Sequence, residues 1–301
     1  MNNFLSLLLL IPVFVLSTKL VPGQTYTEVS LTPNIEIDSL PIELNETSAL
    51  ALQNDSFYTL NDSYCPNSIY AFNKSGKLTG TISLQSAKNN DWEELLYYKN
   101  QFFIGDFGNN DGTRNNLCVY FFEPENAIPL EENHKVVSPD SICFKYPDQF
   151  VVKPEMRKTA WDCEAMVGIN DSLFLFTKRW NDYATVVYKL PAKSGTYVAT
   201  RHDSLNIGFL VTAAAYEPAI NILVLLGYRD FVPFISIFYE FCDTRFFSGK
   251  HHRINLENMK NTQPEGITID IKNNKLYFTS ETTPTNPQRL YSVPLPEKVL
   301  K

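Results

Sequence analysis

A carboxylate precedes a short apolar run at four places in this sequence: Glu46, Glu93, Glu164 and Glu265. The clearest copy is residues 91–95, and the Glu46 copy is the weakest. Each run is followed by the same order of turn and strand, so the four carboxylates occupy related positions of one repeating unit. We therefore expect them to lie at the same level of the fold and to point into a common space.

Other charged residues occupy two further positions of the repeat. Asp91 and Asp162 lie two residues upstream of Glu93 and Glu164. A third set follows the second strand of a repeat or lies in the loop behind it: Asp62, Asp106, Arg114, Lys178, Arg179, Arg229 and Glu281. Together, these residues predict a charged and mainly acidic mouth that binds a ligand.

The acids at this mouth need a positive partner, because converging carboxylates repel one another. Oxygen ligands without a cluster of His or Cys favour Ca²⁺ or Mg²⁺ over zinc. One prediction is a channel Ca²⁺ held by Glu93, Glu164 and Glu265, with no other cofactor. The competing prediction is that the basic residues of the set neutralise the acids, or that the acids hydrogen-bond to neighbouring backbone. The sequence leaves both open.

Four short strands recur with a period of roughly 50 residues, which is typical of a β-propeller blade. Five copies are present, and the last stops one strand short, while residues 27–42 supply a surplus strand. In the third copy, residues 196–199 are predicted as the fourth strand. We predict an all-β protein with a single β-propeller over residues 27–297. It has five four-stranded blades, and an N-terminal strand closes the last one, which also removes exposed sheet edges. Two stacked sandwiches are the alternative, but they do not explain the surplus and the deficit.

The chain begins with an apolar segment, residues 4–16, that has the length of a signal-peptide core and is short for a membrane span. We predict a signal peptide over residues 1–23. An uncleaved anchor is the alternative, because residues 1–3 contain no Lys or Arg. No second long apolar run follows, so we expect a secreted or periplasmic monomer without a membrane span. The net charge of −7 argues against a nucleic-acid partner.

Five cysteines follow the apolar segment: Cys65, Cys118, Cys143, Cys163 and Cys242. Their spacing matches no zinc site, and the odd number leaves at least one thiol unpaired. Cys118 and Cys143 fall in successive strands of one repeat and could form a disulfide in an exported protein. Buried free thiols are the alternative.

Several segments carry a family resemblance: residues 60–63, 90–93, 104–110, 176–180 and 263–267. They resemble a group of uncharacterised exported bacterial β-propellers. The Glu-Gly-Ile element at residues 265–267 is also similar to that of SdiA-regulated-like propellers and, more distantly, of gluconolactonase-like ones. The resemblance covers most of the chain after residue 23 and implies the fold without an activity. This chain departs from the group at Ala215, where the resemblance implies an acid.

Two functions fit these observations. The first is an exported binding module for a small molecule, a glycan or a protein, with an acidic channel mouth that holds Ca²⁺. The alternative is a metal-dependent hydrolase of the lactonase or phosphoesterase type, in which the metal activates water and a carboxylate acts as base. The binding function predicts that most acids are engaged by Arg, Lys or backbone, whereas the enzyme needs one free carboxylate beside the metal.

Overall fold

The computed structural model describes residues 17–21, 24–149, 155–259 and 261–300 of the chain. The fold is all-β, and its five sheets are the blades of a propeller, as the sequence predicts. Within these residues, no helix is both long and apolar enough to cross a membrane. Residues 1–16 and 22–23 of the predicted signal peptide lie outside the described residues, so the signal peptide stays a prediction.

The N-terminal half of the chain forms three leading strands and two blades. The leading strands are β1 (Ser17–Val21), β2 (Gln24–Leu31) and β3 (Asn34–Ile37). Blade 1 contains β4 (Ala51–Gln53), β5 (Ser56–Leu60), β6 (Ser68–Phe72) and β7 (Leu78–Leu84). Blade 2 contains β8 (Trp92–Tyr98), β9 (Gln101–Asp106) and β10 (Leu117–Phe122), then an inserted hairpin of β11 (Ile128–Glu131) and β12 (His134–Val137), and finally β13 (Asp140–Lys145).

The C-terminal half forms three blades. Blade 3 contains β14 (Asp162–Ile169), β15 (Ser172–Lys178), β16 (Thr185–Pro191) and β18 (Thr200–Leu205). The short β17 (Gly195–Val198) lies between β16 and β18 in the chain but joins the sheet of blade 2. Blade 4 contains β19 (Leu210–Glu217), β20 (Ile222–Arg229), β21 (Val232–Tyr239) and β22 (Lys250–Leu256). Blade 5 contains β23 (Pro264–Asp270), β24 (Lys275–Ser280) and β25 (Arg289–Pro294). Short 3-10 helices cover Ile42–Leu44, Pro124–Asn126, Phe246–Ser248, Ile271–Asn273 and Glu297–Val299.

Tight turns set the register of the inner hairpins. The first and second strands of blades 1, 2 and 3 are joined by two residues that both have positive φ: Asn54-Asp55, Lys99-Asn100 and Asn170-Asp171. Two-residue turns with positive φ at both positions match the right-handed twist of the strands, and Asn and Asp tolerate that conformation best. These turns lie at one end of each first strand, so the loops that lead into the first strand lie at the other end.

Among the described residues, the hydrophobic core consists of five clusters, one between each pair of neighbouring blades. A large buried ring fills each interface, from blades 1 and 2 round to blades 5 and 1: Trp92, Tyr188, Phe174, Phe278 and Phe57. Aromatic residues bury much apolar surface for each side chain. The high aromatic content therefore holds adjacent blades together and keeps the five first strands around a central channel.

The N-terminal strands close the ring. Strand β3 pairs antiparallel with β25, so that Ile37 lies opposite Leu290 and completes blade 5. This confirms the predicted closure. Strand β2 pairs in parallel with β22, and β1 pairs with β2 outside it, so the sheet of blade 4 has six strands. Strand β1 lies within residues 1–23, the predicted signal peptide, and would be removed with it.

Two other blades also have extra strands, which the sequence did not predict. The β11–β12 hairpin leaves blade 2 and pairs in parallel with β7 of blade 1. Residues 196–199, which the sequence predicts as the fourth strand of blade 3, overlap β17, and β17 pairs with β13 of blade 2. The fourth strand of blade 3 is β18, whose sequence Thr-Arg-His-Asp-Ser-Leu has little apolar character. Tertiary pairing decides the strand here, not local propensity.

A disulfide joins Cys118 to Cys143 in blade 2. The two residues lie directly opposite each other on β10 and β13, with their Cα atoms 4.2 Å apart. The bond fixes the outer strand of this blade despite the long insertion between β10 and β13. Cys65, Cys163 and Cys242 are free thiols.

Candidate functional site

A β-bulge interrupts the first strand at the same place in blades 2 to 5. The pairing register shifts by one residue at Glu93, Glu164, Thr212 and Glu265. A bulge leaves one residue unpaired in the ladder and re-aims its side chain. Three glutamates that stand far apart in the sequence are therefore turned toward the same end of the central channel.

Blade 1 has a related shift, but a serine takes the position of the glutamate. The register changes by one residue between the Thr47–Asn61 bridge and the Ala51–Tyr58 pair. Ser48 Oγ donates a hydrogen bond to the carbonyl of Trp92 at 3.0 Å. Trp92 is the residue before the bulge of the next blade. Thr212 makes the same contact with the carbonyl of Pro264 at 2.6 Å. Ser48 and Thr212 are thus the counterparts of the three glutamates.

This equivalence corrects two predictions from the sequence. Glu46 stands two residues before Ser48, so it corresponds to Asp91 and not to Glu93. The place of the missing acid in blade 4 is Thr212, and the prediction that it is Ala215 is wrong. Ala215 lies in the second half of β19, opposite Val224. When the repeats are aligned from sequence without knowledge of the bulges, residues of different blades are paired incorrectly.

A small polar cavity of about 90 Å³ lies at this mouth of the channel. Its walls come from the bulge residues, from residues that end or follow the second strands, and from the loops above them: Asp62, Glu93, Asn110, Arg157, Glu164, Lys178, Trp180, Tyr228, Gln263, Glu265 and Glu281. Six of the predicted site residues therefore line one space: Asp62, Glu93, Glu164, Lys178, Glu265 and Glu281.

Lys178 is the buried cation of this cavity. Its Nζ lies 2.6 Å from both carboxylate oxygens of Glu164. The ammonium also lies 4.9 Å from the ring centroid of Trp180 and 5.4 Å from that of Tyr228. Burial opposes the charged form, but the Glu164 carboxylate outweighs it and raises the pKa of Lys178 well above its usual value. Lys178 thus neutralises Glu164, which agrees with the prediction that basic residues of the mouth neutralise its acids.

Asp106 and Asp162 hold the surrounding loops. Asp106 Oδ1 accepts from Arg114 Nη2 at 2.9 Å, and Arg114 Nη1 donates to the Gly108 carbonyl at 2.7 Å. Asp162 accepts from the backbone N–H of Asn109 at 2.6 Å and from Trp180 Nε1 at 2.7 Å. Both carboxylates are buried and fully engaged, which leaves them a structural role.

Asp62, Asp91 and Glu93 form a different group. Each offers a carboxylate oxygen, and these oxygens lie within 4.8 Å of one another. Glu93 is only 5% exposed, and no described residue donates a hydrogen bond to it or forms an ion pair with it. Gly108 lies against the group, since a Cβ there would be 2.3 Å from Glu93 Oε1 and 2.4 Å from Asp91 Oδ2. We call these three residues the acidic triad.

The surroundings of the triad disfavour the charged forms of Asp91 and Glu93. Burial, followed by the nearby carboxylates of Asp62 and Asp162, raises the pKa of Asp91 to about 7. Burial and the neighbouring Glu164 raise the pKa of Glu93 well above the usual range of a glutamate. Burial beside other acids thus opposes the ionised form of both groups, and a cation among them would favour it.

Glu265 and Glu281 lie on the far side of the same cavity. Burial raises the pKa of Glu265 to about 7, although Lys178 acts in the opposite direction. Burial and Glu265 raise the pKa of Glu281 well above its usual value, while Gln263 Nε2 donates to Glu281 Oε2 at 2.7 Å. The cavity thus contains several carboxyl groups whose pKa values burial raises.

Three more predicted site residues lie outside both the cavity lining and the groups described above. Arg179 forms an exposed ion pair with Asp182 at 2.6 Å. Arg229 stacks on the ring of Tyr183, 4.6 Å from its centroid. Glu46 accepts a hydrogen bond from Asn45 at 3.4 Å, and burial followed by Asp62 raises its pKa. These side chains belong to the rim.

Glu94 is the functional residue that sequence reasoning missed. Its Oε1 accepts from its neighbour Leu95 N at 3.0 Å, and its Oε2 accepts from Met166 N at 3.4 Å and Ala214 N at 3.3 Å. Glu94 therefore crosses the channel and ties together the first strands of blades 2, 3 and 4. The sequence feature that could have indicated this role is the pair of adjacent acids Glu93 and Glu94, because the bulge lets two neighbouring residues both face the channel.

No family model and no curated protein matches this sequence. Solved structures with a similar fold are β-propellers of very low sequence identity. An exo-β-1,3-galactanase from Phanerochaete chrysosporium has 8% identity and a TM-score of 0.50, over 89% of this chain and 65% of the galactanase chain. A GH43 β-1,3-galactosidase has 10% identity and a TM-score of 0.46, over 85% and 90% of the two chains. The Cps50 (Swd1) propeller domain of Myceliophteria thermophila has 8% identity and a TM-score of 0.43, over 87% and 99%. These likenesses concern the fold alone.

Proposed function

We propose that the acidic triad binds a divalent cation, Ca²⁺, and that the protein is a binding module whose ligand meets this cation at the channel mouth. One observation carries the proposal: three carboxylate oxygens converge within 4.8 Å, and no described cation pairs with them. The neighbouring acids show the contrast, because Asp106 has Arg114 and Glu164 has Lys178. Among the described residues, no Lys or Arg forms an ion pair with the triad.

The chemistry of the donors favours calcium. All three donors are carboxylate oxygens, which suit hard cations and do not select zinc or copper. A bound cation would stabilise the ionised forms of Asp91 and Glu93, whose raised pKa values reflect burial beside other acids. The adjoining cavity has room for water molecules or for a ligand oxygen to complete the coordination shell. The sequence prediction of Glu93, Glu164 and Glu265 as ligands is thus revised to Asp62, Asp91 and Glu93.

Calorimetry tests the proposal. Ca²⁺ titrated into chelator-treated protein is expected to bind at one site, and saturating Ca²⁺ is expected to raise the melting temperature by about 5 °C or more. Asp91→Asn and Glu93→Gln are expected to remove both effects. Asp182→Asn, at the exposed rim, is the matched control and should leave them unchanged. Absence of binding heat together with no response to EDTA contradicts the proposal.

Export from the cytoplasm belongs to the same proposal. The disulfide between Cys118 and Cys143 supports it, because such bonds persist in oxidising compartments. The apolar segment of residues 4–16 and the resemblance to exported bacterial propellers support it too. Cell fractionation followed by N-terminal sequencing is expected to find the protein outside the cytoplasm with an N-terminus near residue 24.

A metal-dependent hydrolase is a second candidate, and Glu265 favours it. This carboxyl group lines the cavity, and no ion pair joins it to a described residue. Its pKa of about 7 suits a general base or acid near neutral pH. A screen of lactones and phosphodiesters with Ca²⁺ would show a turnover that Glu265→Gln abolishes while Ca²⁺ binding persists. Binding without turnover leaves the binding module as the function.

A further inference from the structure

The opposite mouth of the channel contains a second and larger cavity, of about 590 Å³. All five first strands run from the acidic mouth toward it, and their later residues line it: 50–53, 95–99, 168–170, 214–217 and 267–269. Its volume lies within the range of small-molecule sites, about 300–1,000 Å³. It shares no lining residue with the acidic cavity.

Glu94 separates the two cavities. Its carboxyl group crosses the channel between them and is held by the backbone N–H groups of Met166 and Ala214. Ala214 itself lines the second cavity, so the Glu94 contacts lie at the inner end of that space. The second cavity therefore lies on the other side of the Glu94 contacts from the acidic cavity.

Three partly exposed tyrosine rings form its walls: Tyr97, Tyr98 and Tyr216. Tyr97 donates through its hydroxyl to Asn100 Oδ1 at 2.7 Å, and Tyr216 donates to Asn221 Oδ1 at 2.9 Å, which fixes the two rings. Gly168 leaves space for Tyr98, since a Cβ at that residue would lie 2.5 Å from the ring. Tyrosine offers an apolar face and a polar edge to the same ligand.

Hydrogen-bonding groups are distributed between these rings. Each first strand is the edge strand of its sheet, so its channel side has no strand partner. Thr268 is only 9% exposed and lines the cavity, and no described residue hydrogen-bonds to its hydroxyl. Gln53 also lines the cavity, and no described residue hydrogen-bonds to its side-chain amide. A ligand that carries many hydrogen-bonding groups would satisfy them.

Three charged residues line this cavity, Lys99, Glu217 and Asp243, and the first two have partners within the protein. Lys99 forms an ion pair with Asp171, and its ammonium also lies 5.6 Å from the centroid of the Tyr98 ring. Glu217 accepts a hydrogen bond from Ala219 N at 2.9 Å. The interior walls contribute apolar groups, tyrosine rings, hydroxyls and amides. The cavity is thus suited to an uncharged ligand.

We propose that this second cavity binds a small uncharged ring compound with several hydroxyl groups, of the size of a mono- or disaccharide. The tyrosine rings would contact the apolar faces of the sugar ring. The Thr268 hydroxyl, the Gln53 amide and the strand edges would bond to its hydroxyls. The site is independent of the cation at the acidic mouth.

Calorimetry of the full chain with neutral monosaccharides and disaccharides tests the proposal, with phenol and indole as aromatic comparators. At least one saccharide is expected to bind. Thr268→Val, which keeps the shape of the side chain, should weaken that binding about tenfold. Tyr216→Ala should weaken it by a similar factor or more, while Glu93→Gln at the other mouth and addition of EDTA should leave it unchanged.

Each other outcome overturns the proposal. The proposal is overturned if no saccharide binds, whether or not phenol or indole binds. If Thr268→Val and Tyr216→Ala leave saccharide binding intact, the sugar binds elsewhere. The same conclusion follows if EDTA or Glu93→Gln removes the binding. Thermal melting of both variants controls for folding, and Tyr216→Phe is the milder substitution if Tyr216→Ala does not fold.

Discussion

At the scale of single residues, neighbouring acids take opposite roles. Glu93 faces the acidic cavity without a described partner, while Glu94 accepts three backbone N–H groups in the channel. The sequence predicts Glu93 as a site residue because it recurs in the repeat. It cannot predict the role of Glu94, because the bonds to Met166 and Ala214 depend on how three blades meet.

Replacing Glu94 tests its role as the tie across the channel. Burial raises the pKa of this group well above its usual value, so the neutral Glu94→Gln is expected to keep most of the stability. Glu94→Leu leaves buried N–H groups without an acceptor and is expected to cost about 2–5 kcal/mol. Urea denaturation measures both, with the exposed Glu125→Gln as control. Equal stability of Glu94→Leu and the parent protein contradicts the assignment.

The pKa of Asp91 predicts a pH dependence. In the folded protein it is about 7, above the value of about 3.9 for an unfolded aspartate, so the folded state binds more protons between these values. Without a cation, this group therefore stabilises the fold most at low pH, and its contribution is lost as pH rises through about 7.

Ca²⁺ binding is expected to show the opposite trend. The ion must displace protons from the triad, so its affinity should rise from pH 5.5 to pH 7.5. Calorimetry in buffers of different ionisation enthalpy measures the released protons, with Asp182→Asn as a control that keeps the trend. An affinity that is constant across this range contradicts the assigned ligands.

At the scale of elements, the bulges and the Asp106–Gly112 loop position the triad. Gly108 → Ala inserts a methyl group among the carboxylates of Asp91 and Glu93, so it is expected to abolish the effect of Ca²⁺ on melting. Gly80→Ala is the matched control, because its Cβ would make only ordinary contacts, at 3.6 Å and beyond. A Gly108→Ala protein that still responds to Ca²⁺ places the cation elsewhere.

Elements also show where sequence reasoning succeeds and where it stops. Apolar runs and turn residues are sufficient to predict the inner three strands of each blade, because most of these strands are rich in buried apolar residues. The outer strand of blade 3 was misplaced, since β18 is polar and its identity depends on the competing pairing of β17 with β13. The bulges have no local signature, so the counterparts of Glu93 in blades 1 and 4 were misaligned.

At the scale of the whole molecule, closure of the ring depends on β3. Ile37 is 8% exposed and packs between blades 5 and 1, whereas Ile35 on the same strand is 53% exposed. Ile37→Ala is expected to lower the free energy of unfolding by about 2–4 kcal/mol, and Ile35→Ala by clearly less. Urea denaturation compares the two. Similar losses for both variants would mean that the closing strand does not depend on its buried face.

Ring closure was predictable because it follows from counting strands. One strand is missing from the last blade and one strand is surplus near the N-terminus, so the N-terminal strand can complete the last blade, and β3 does so. The channel contents were only partly predictable. Which acids meet a basic side chain and which meet one another depends on distances across the ring that no local pattern encodes.

The central claim is that the acidic triad holds Ca²⁺, and anomalous scattering from a crystal grown with Ca²⁺ tests it most directly. The account predicts a peak bounded by oxygens of Asp62, Asp91 and Glu93 at about 2.3–2.6 Å, which is the usual range for calcium. A matched crystal of Asp91→Asn should lack the peak. An ordered crystal without a peak at the triad, or with Glu93 hydrogen-bonded to the protein in its place, contradicts the claim.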